Sequence, residues 1–392
     1  MTTALFDDVP AADPALSRGI DAAIDRALAE RRIVGTVVLV AQDGRLVYRR
    51  AAGLADREAG RTMREDSVFL YASLTKPMVT AAALRLVEEG RIALADPVTK
   101  FLPDFRPKLA DGSEPVITIH HLLTHTSGLI YGFAEPADGP YHRAGVSDGL
   151  DAPGRSFADN LRRIASVPLA FAPGSAWSYS VALDVLGAAL EQAAGESLSD
   201  IVRSRVTEPL GLEDTGFGPP DRSRLAAAYA DDEPAPVRMG EHYAIPAPRE
   251  FAGLSFAPGR IFDPASYPSG GAGMAGTAGD FLVFLEALRR GGAPILKPET
   301  VQAMATSQIP GLAMPASPGT TFGYGFALVT DPAAAGVPMT AGTWRWGGVY
   351  GHSWFVDPAR RLSVVGLTNT ALEGMKGQFV ADLRAAIYVG LE

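Results

Sequence analysis

No cysteine occurs anywhere in the 392 residues. That absence excludes disulfides, thiolate catalysis and zinc held by cysteines. Lysine is nearly as scarce, 5 residues against 30 arginines, which reads as a composition bias rather than a function. The basic residues form no cluster and the formal net charge is −9, so nucleic acid is not an expected partner. No apolar run is long enough to span a membrane. Met1 to Asp13 carries Asp7, Asp8 and Asp13 and has neither the basic start nor the unbroken apolar stretch of a secretion signal. A cytoplasmic protein with no membrane attachment is the expectation.

What remains is an ordinary globular composition, 47% hydrophobic and 20% charged, long enough for one large core and a second, smaller one. Apolar spacing predicts a helix over Ile20 to Arg31. Val37 to Val40 and Leu46 to Tyr48, joined through Asp43-Gly44, predict a β-hairpin. Met78 to Val87, closed by Gly90, predicts a helix, as do Phe157 to Ile164, Ala182 to Ala194, Phe281 to Leu288 and Phe379 to Tyr388. Residues 214 to 268 are rich in proline and predict mostly loop. Strands are expected at Trp344 to Val349, Ser353 to Val356 and Leu362 to Leu367. Strands at both ends with helices between predict a mixed α+β fold: one antiparallel sheet flanked by helices and built from both chain ends, with an inserted, mainly helical domain. The expected division is 1–96 with 250–392 as the α/β domain and 97–249 as the helical one, the active site between them.

Ser73-Leu74-Thr75-Lys76 heads the Met78 to Val87 run, which puts a hydroxyl and an amine one helical turn apart at a helix start. Serine is a weak nucleophile until a neighbouring base takes its proton, and the helix N-terminus favours the resulting anion. With 5 Lys and 22 Ser, chance supplies such a pair roughly one time in four. A capping serine followed by a surface lysine is therefore an equal reading of the pair alone. Trp177-Ser178-Tyr179-Ser180 stands at another helix start; it is either packing, or a phenol whose pKa a neighbouring ammonium lowers. Trp346-Gly347-Gly348-Val349-Tyr350-Gly351-His352 has three glycines in a strand-like context, either a bulge or a sheet edge that substrate approaches.

Other patterns are weaker. Gly145-Val146-Ser147-Asp148-Gly149 has the form Gly-x-Ser-x-Gly, but the prolines and glycines around it deny it the required strand and helix. Gly271-Ala272-Gly273-Met274-Ala275-Gly276 has the form Gly-x-Gly-x-x-Gly without a preceding strand or a distal acid, which leaves a tight loop packing near the active site. His121 and His125 are four apart, yet no third ligand accompanies them, so helix-end capping is expected rather than a metal. His352 is placed for acid–base work, though its spacing does not require it.

Taken in order, these pieces resemble the class C branch of the serine β-lactamase and penicillin-binding-protein superfamily, and within it the family VIII carboxylesterases. The resembling residues are Ser73-Leu74-Thr75-Lys76, His121 to Leu129, Pro173-Gly174 with Tyr179-Ser180-Val181, Gly270 to Met274, and Trp346-Gly347-Gly348 with Gly351-His352-Ser353. The resemblance covers roughly residues 20 to 388. It implies Ser73 as nucleophile, Lys76 and Tyr179 sharing the base role, an oxyanion hole from the N–H groups of Ser73 and Val349, and substrate contacts from Trp346, Gly347, Gly348, Tyr131 and Val181. It implies no cofactor and no metal, with a small-molecule ester as the partner.

Two departures bear on substrate. Trp346 stands where the β-lactamases and peptidases carry a basic or polar side chain that holds the substrate carboxylate. Val181 stands where they usually have Asn. A site lacking both polar handles favours neutral, apolar acyl esters. The expected reaction is hydrolysis of short-chain acyl esters through an acyl-enzyme, with removal of a cephalosporin acetyl ester as an extension. A β-lactamase or DD-peptidase, an acyltransferase, and a non-catalytic binding protein on the same fold are the alternatives.

Overall fold

A computed structural model describes residues 14–246, 249 and 252–391. The stretch Met1 to Asp13, read above for a secretion signal, lies outside the described residues. The elements that position the site are, in chain order, helix α1 (Pro14–Ala29), strands β1 (Gly35–Gln42), β2 (Arg45–Asp56), β3 (Arg61–Thr62) and β4 (Val68–Leu70), and helices α2 (Thr75–Glu88), α3 (Ile119–Leu123), α4 (Phe157–Ala165) and α5 (Ala182–Ala194). They continue with β5 (Ala275–Thr277), α6 (Ala278–Arg289), β6 (Thr320–Phe322), β7 (Ala327–Val329), β8 (Trp344–Gly348), β9 (His352–Asp357), β10 (Leu362–Thr368) and α7 (Gln378–Gly390).

Eight strands form one sheet in the order β6-β7-β8-β9-β10-β1-β2-β3, every neighbouring pair antiparallel. The join between the two chain ends is β1 on β10, in register from Thr36↔Thr368 to Gln42↔Leu362. β1 and β10 are apolar on both faces because both faces are covered. On one face α1 and α7 pack together and bury Ile20, Ile24, Leu383 and Ile387 against Val38, Phe355 and Val364. On the other, α6 lies across β10 and β1, and α2 joins the same core through Met78, Val79 and Ala82. The helices of the middle region, α3, α4 and α5, share that core through Leu122, Ile164 and Leu186.

The hairpin, the helices and the three late strands form where apolar spacing placed them, with boundaries moved by a few residues. Helix α3 begins behind Thr118, whose hydroxyl accepts from the His121 N–H at 3.3 Å. Two expectations change. The proline-rich stretch holds short strands: Tyr229–Ala230 pairs with both Thr370–Ala371 and Val237–Arg238, and Tyr243–Ala244 pairs with Ser255–Phe256. β6 and β7, absent from the sequence reading, extend the sheet beyond β8, but β7 pairs with β8 only at Trp344 and Arg345.

Gly351, at the β8–β9 turn, sits at φ +116°, and a Cβ there would lie 2.2 Å from the Thr370 carbonyl oxygen. Gly351→Ala is therefore expected to cost at least about 1–3 kcal/mol. The check is a urea unfolding curve, where the midpoint should fall and the slope should hold.

Candidate active site

Ser73 is carried on a single 3₁₀ turn, Ala72–Leu74, that runs directly into α2. The turn is fixed from below by the β4–β5 ribbon and by the Tyr71 N–H, which donates to the Met274 carbonyl at 2.9 Å. Ala72 adopts φ +46°, an uncommon conformation for a residue with a side chain, and the surrounding contacts hold it there.

Three side chains converge. Tyr179 donates its O–H to Ser73 Oγ at 2.7 Å, and Lys76 Nζ donates to the same oxygen at 3.1 Å. Lys76 Nζ also donates to the Gly271 carbonyl at 2.7 Å and lies over the rings of Tyr179 and Tyr131 at 4.6 and 5.1 Å. The amine is 1% exposed, and burial pulls its pKa down to about 7, against the upward pull of Asp184 and Asp148. Near neutral pH a large share of Lys76 is thus a free amine with a lone pair, within reach of the Ser73 proton.

Tyr179 departs from expectation. A neighbouring ammonium was expected to lower its pKa; instead burial raises it, outweighing the hydrogen bonds to Ser73 and Trp346 that act the other way. Lys76 does not supply the steady positive charge that the expectation assumed. The phenol stays protonated and is a donor at rest. Its ring is held by His125 at 4.9 Å and Tyr131 at 4.9 Å, and its oxygen accepts from Trp346 Nε1 at 3.3 Å.

The glycine loop is anchored by a residue that the sequence reading missed. Asp184, in the first turn of α5, accepts from Ser269 Oγ at 2.6 Å and from the Gly271 N–H at 3.2 Å. That fixes the carbonyl that Lys76 binds. Asp148 also stands on the cavity wall; burial raises its pKa to about 7 and its carboxyl accepts from the Gly132 N–H. The one signal for Asp184 was an acid in the apolar first half of a helix.

A cavity of about 450 Å³ opens over Ser73. Tyr131, Tyr179, Trp346, Gly347 and Val349 are on its wall. Val181 and Gly348 are not. Val181 is fully buried, because the chain enters α5 there and turns the side chain into the core. Gly348 lies under the site, where a Cβ would come 2.5 Å from the Tyr71 carbonyl oxygen; it lets β8 approach the Ser73 turn.

The remaining candidates settle into structural roles. His352 is buried, its Nε2 2.8 Å from the Leu70 carbonyl oxygen, and burial lowers its pKa to about 4, so it ties β9 to β4. His121 belongs to the capping box of α3, while His125 lies past the helix at φ +57° with Nδ1 3.0 Å from Ser180 Oγ, so the two do not share a face. Ser147 Oγ donates to Asp151 at 2.5 Å inside a buried loop. Among the described residues, no group of three or more His, Asp or Glu is gathered to hold a metal ion.

A family model described as Beta-lactamase matches residues 20–388. Esterase EstB of Burkholderia gladioli is 55% identical over 375 residues, 95% of each chain. The solved structure of EstCE1, described as a hydrolase with promiscuous acyltransferase activity, superposes with a TM-score of 0.92 at 44% identity, covering 96% of this chain and 99% of that one. Unliganded simvastatin synthase from Aspergillus terreus has a TM-score of 0.73 at 24% identity, covering 95% of this chain and 98% of that one, a likeness of fold alone.

With neutral Lys76 as the group that takes the Ser73 proton, Ser73 reactivity should rise with pH. The second-order rate of labelling by a fluorophosphonate is expected to climb through a midpoint near the Lys76 pKa of about 7 and to level off above it. A flat profile between acid and alkali would show that Lys76 is not the base.

Proposed function

The chain belongs to the beta-lactamase family and is a carboxylic ester hydrolase of it, and from that premise we propose that it hydrolyses short-chain acyl esters through an acyl-enzyme on Ser73. The observation that carries the proposal is the double hydrogen bond to Ser73 Oγ from Tyr179 and Lys76, facing the wall formed by Trp346 and Val349. The site lies between two parts of the chain, Ser73 and Trp346 coming from 1–96 with 250–392, and Tyr179 from 97–249.

In the proposed cycle, the Ser73 proton passes to neutral Lys76 as Oγ bonds to the ester carbonyl carbon. The carbonyl electron pair moves onto oxygen, where the N–H groups of Ser73 and Val349 meet it, each worth about 2.7–4 kcal/mol by analogy with a single lost donor. Collapse breaks the carbon–oxygen bond to the alcohol. Tyr179, protonated at rest, gives its proton to the leaving oxygen and recovers one from the Lys76 ammonium. A water then gives a proton to the same pair as its oxygen bonds to the acyl carbon; the bond to Ser73 Oγ breaks, Oγ takes that proton back, and the acid leaves. Tyr179 and Lys76 act as a coupled unit in both halves.

Trp346 and Tyr131 give the site an apolar lining around the reacting centre, which supports a small, neutral acyl group over one read by a charged handle. Removal of a cephalosporin acetyl ester with the ring left intact is included in the proposal. So is the cytoplasmic location expected from the sequence, and a small-molecule ester rather than nucleic acid as partner; among the described residues no helix is long and apolar enough to cross a membrane.

With p-nitrophenyl butyrate as substrate, Ser73→Ala is expected to abolish turnover and Ser147→Ala to leave most of it. Tyr179→Phe should lose about 10²–10⁴-fold in kcat. A full loss in Ser147→Ala with activity kept in Ser73→Ala overturns the assignment. Butyrate should be preferred to palmitate, and nitrocefin should be opened far more slowly than the ester is cleaved; comparable rates would favour a β-lactamase.

A further inference from the structure

The cavity over Ser73 does not stop at the catalytic face of the sheet. Side chains alternate along β8, so Trp346 faces Tyr179 while Arg345 and Gly347 face the opposite side. Arg345 is opposite Phe355 in register, and Phe355 stacks on Tyr388 of α7, which identifies that side as the α7 side. Gly347 agrees, since a Cβ there would meet Met375 Cγ at 2.8 Å. Yet Arg345, Gly347, Met375, Lys376 and Arg384 line the same cavity as Ser73 and Trp346. The cavity can reach both faces because β7 leaves β8 after Arg345, and among the described residues no strand lies beside that edge from Trp346 onward.

Arg384 stands one turn before Tyr388 on α7. Its Nε is buried and has no hydrogen-bond partner. Burial and the neighbouring Arg345 lower its pKa to about 10, and burial lowers that of Arg345 as well; no carboxylate acts on either. Most other partly buried arginines here have an acid at contact distance, such as Arg32 with Glu373 and Arg205 with Glu196. Two like charges withdrawn from water beside each other are costly unless an anion joins them. Lys376 also lines that wall. In a chain of net charge −9, that wall is a local reversal of sign.

We propose that Arg345 and Arg384 form an anion subsite that holds a carboxylate on the alcohol part of the ester, so that the substrates are short-chain acyl esters of hydroxy acids. A planar carboxylate matches the guanidinium fork. The place differs from the family's carboxylate handle at the start of the third motif, which is Trp346 here, on the other face of the strand. Three residues of extended strand, Trp346 to Gly348, separate Arg345 from Val349, which sets the carboxylate on the order of 10 Å from the reacting carbonyl. The proposal rests on the short-acyl reading above, which leaves the length of the cavity to the alcohol.

The test compares the acetate ester of omega-hydroxyhexanoate with its primary amide, an uncharged substrate of the same length, at low ionic strength. Wild-type kcat/KM should favour the carboxylate at least tenfold, mainly through KM, and added salt should erode the preference. The ratio should fall to about one in Arg345→Gln/Arg384→Gln and persist in Arg384→Lys. Because both esters are measured on each variant, a partly misfolded preparation cancels from the ratio. Equal rates in the wild type, or a preference that survives the double substitution, overturn the subsite while p-nitrophenyl acetate turnover leaves the esterase reading intact. Loss of turnover on every ester overturns both.

Discussion

The chemistry of this site depends on keeping one amine away from water. Lys76 is enclosed by the rings of Tyr131 and Tyr179 and the glycine loop, and its charged form is disfavoured there. The same enclosure raises the pKa of Tyr179. One desolvation therefore shifts two neighbours in opposite chemical senses, favouring a neutral amine beside a protonated phenol. Asp184 limits the effect: placed behind the loop, it keeps Lys76 from losing its proton affinity altogether.

The geometry that encloses the amine comes from remote parts of the chain. The Ser73 turn is seated on β4, which pairs with β5 some two hundred residues later, and β8 approaches it from near the other end. The approach is close enough that Gly348 has no room for a side chain. Where β7 parts from β8, the sheet leaves an open border, and the cavity extends around it to Arg345 and Arg384.

The convergence of Ser73, Lys76 and Tyr179 was legible in the sequence because each sits in a local signature: Ser73 and Lys76 one turn apart at a helix start, and Tyr179 just before α5. The paired sheet was legible because its central strands are long and apolar. β6 and β7 were not, since three residues apiece on either side of Gly323 and Gly325 carry too little periodicity. The resemblance put Val181 in the pocket, at the place where relatives usually carry Asn, but the start of a helix turned it inward. The direction of the Tyr179 shift escaped for a different reason: proximity to a lysine is readable from a motif, whereas burial is a property of the assembled core. Asp184, Arg345 and Arg384 gain their meaning only from partners far away in the chain.

The pairing of β1 with β10 has a consequence for biosynthesis. The strand that leads toward the Ser73 turn leaves the ribosome well before the strand that completes its pairing. Until then the early hairpin exposes an unpaired apolar edge, and the serine turn lacks the late strand that closes over it. The surroundings of Ser73 are thus completed only once β10 has emerged, rather than as the early hairpin forms.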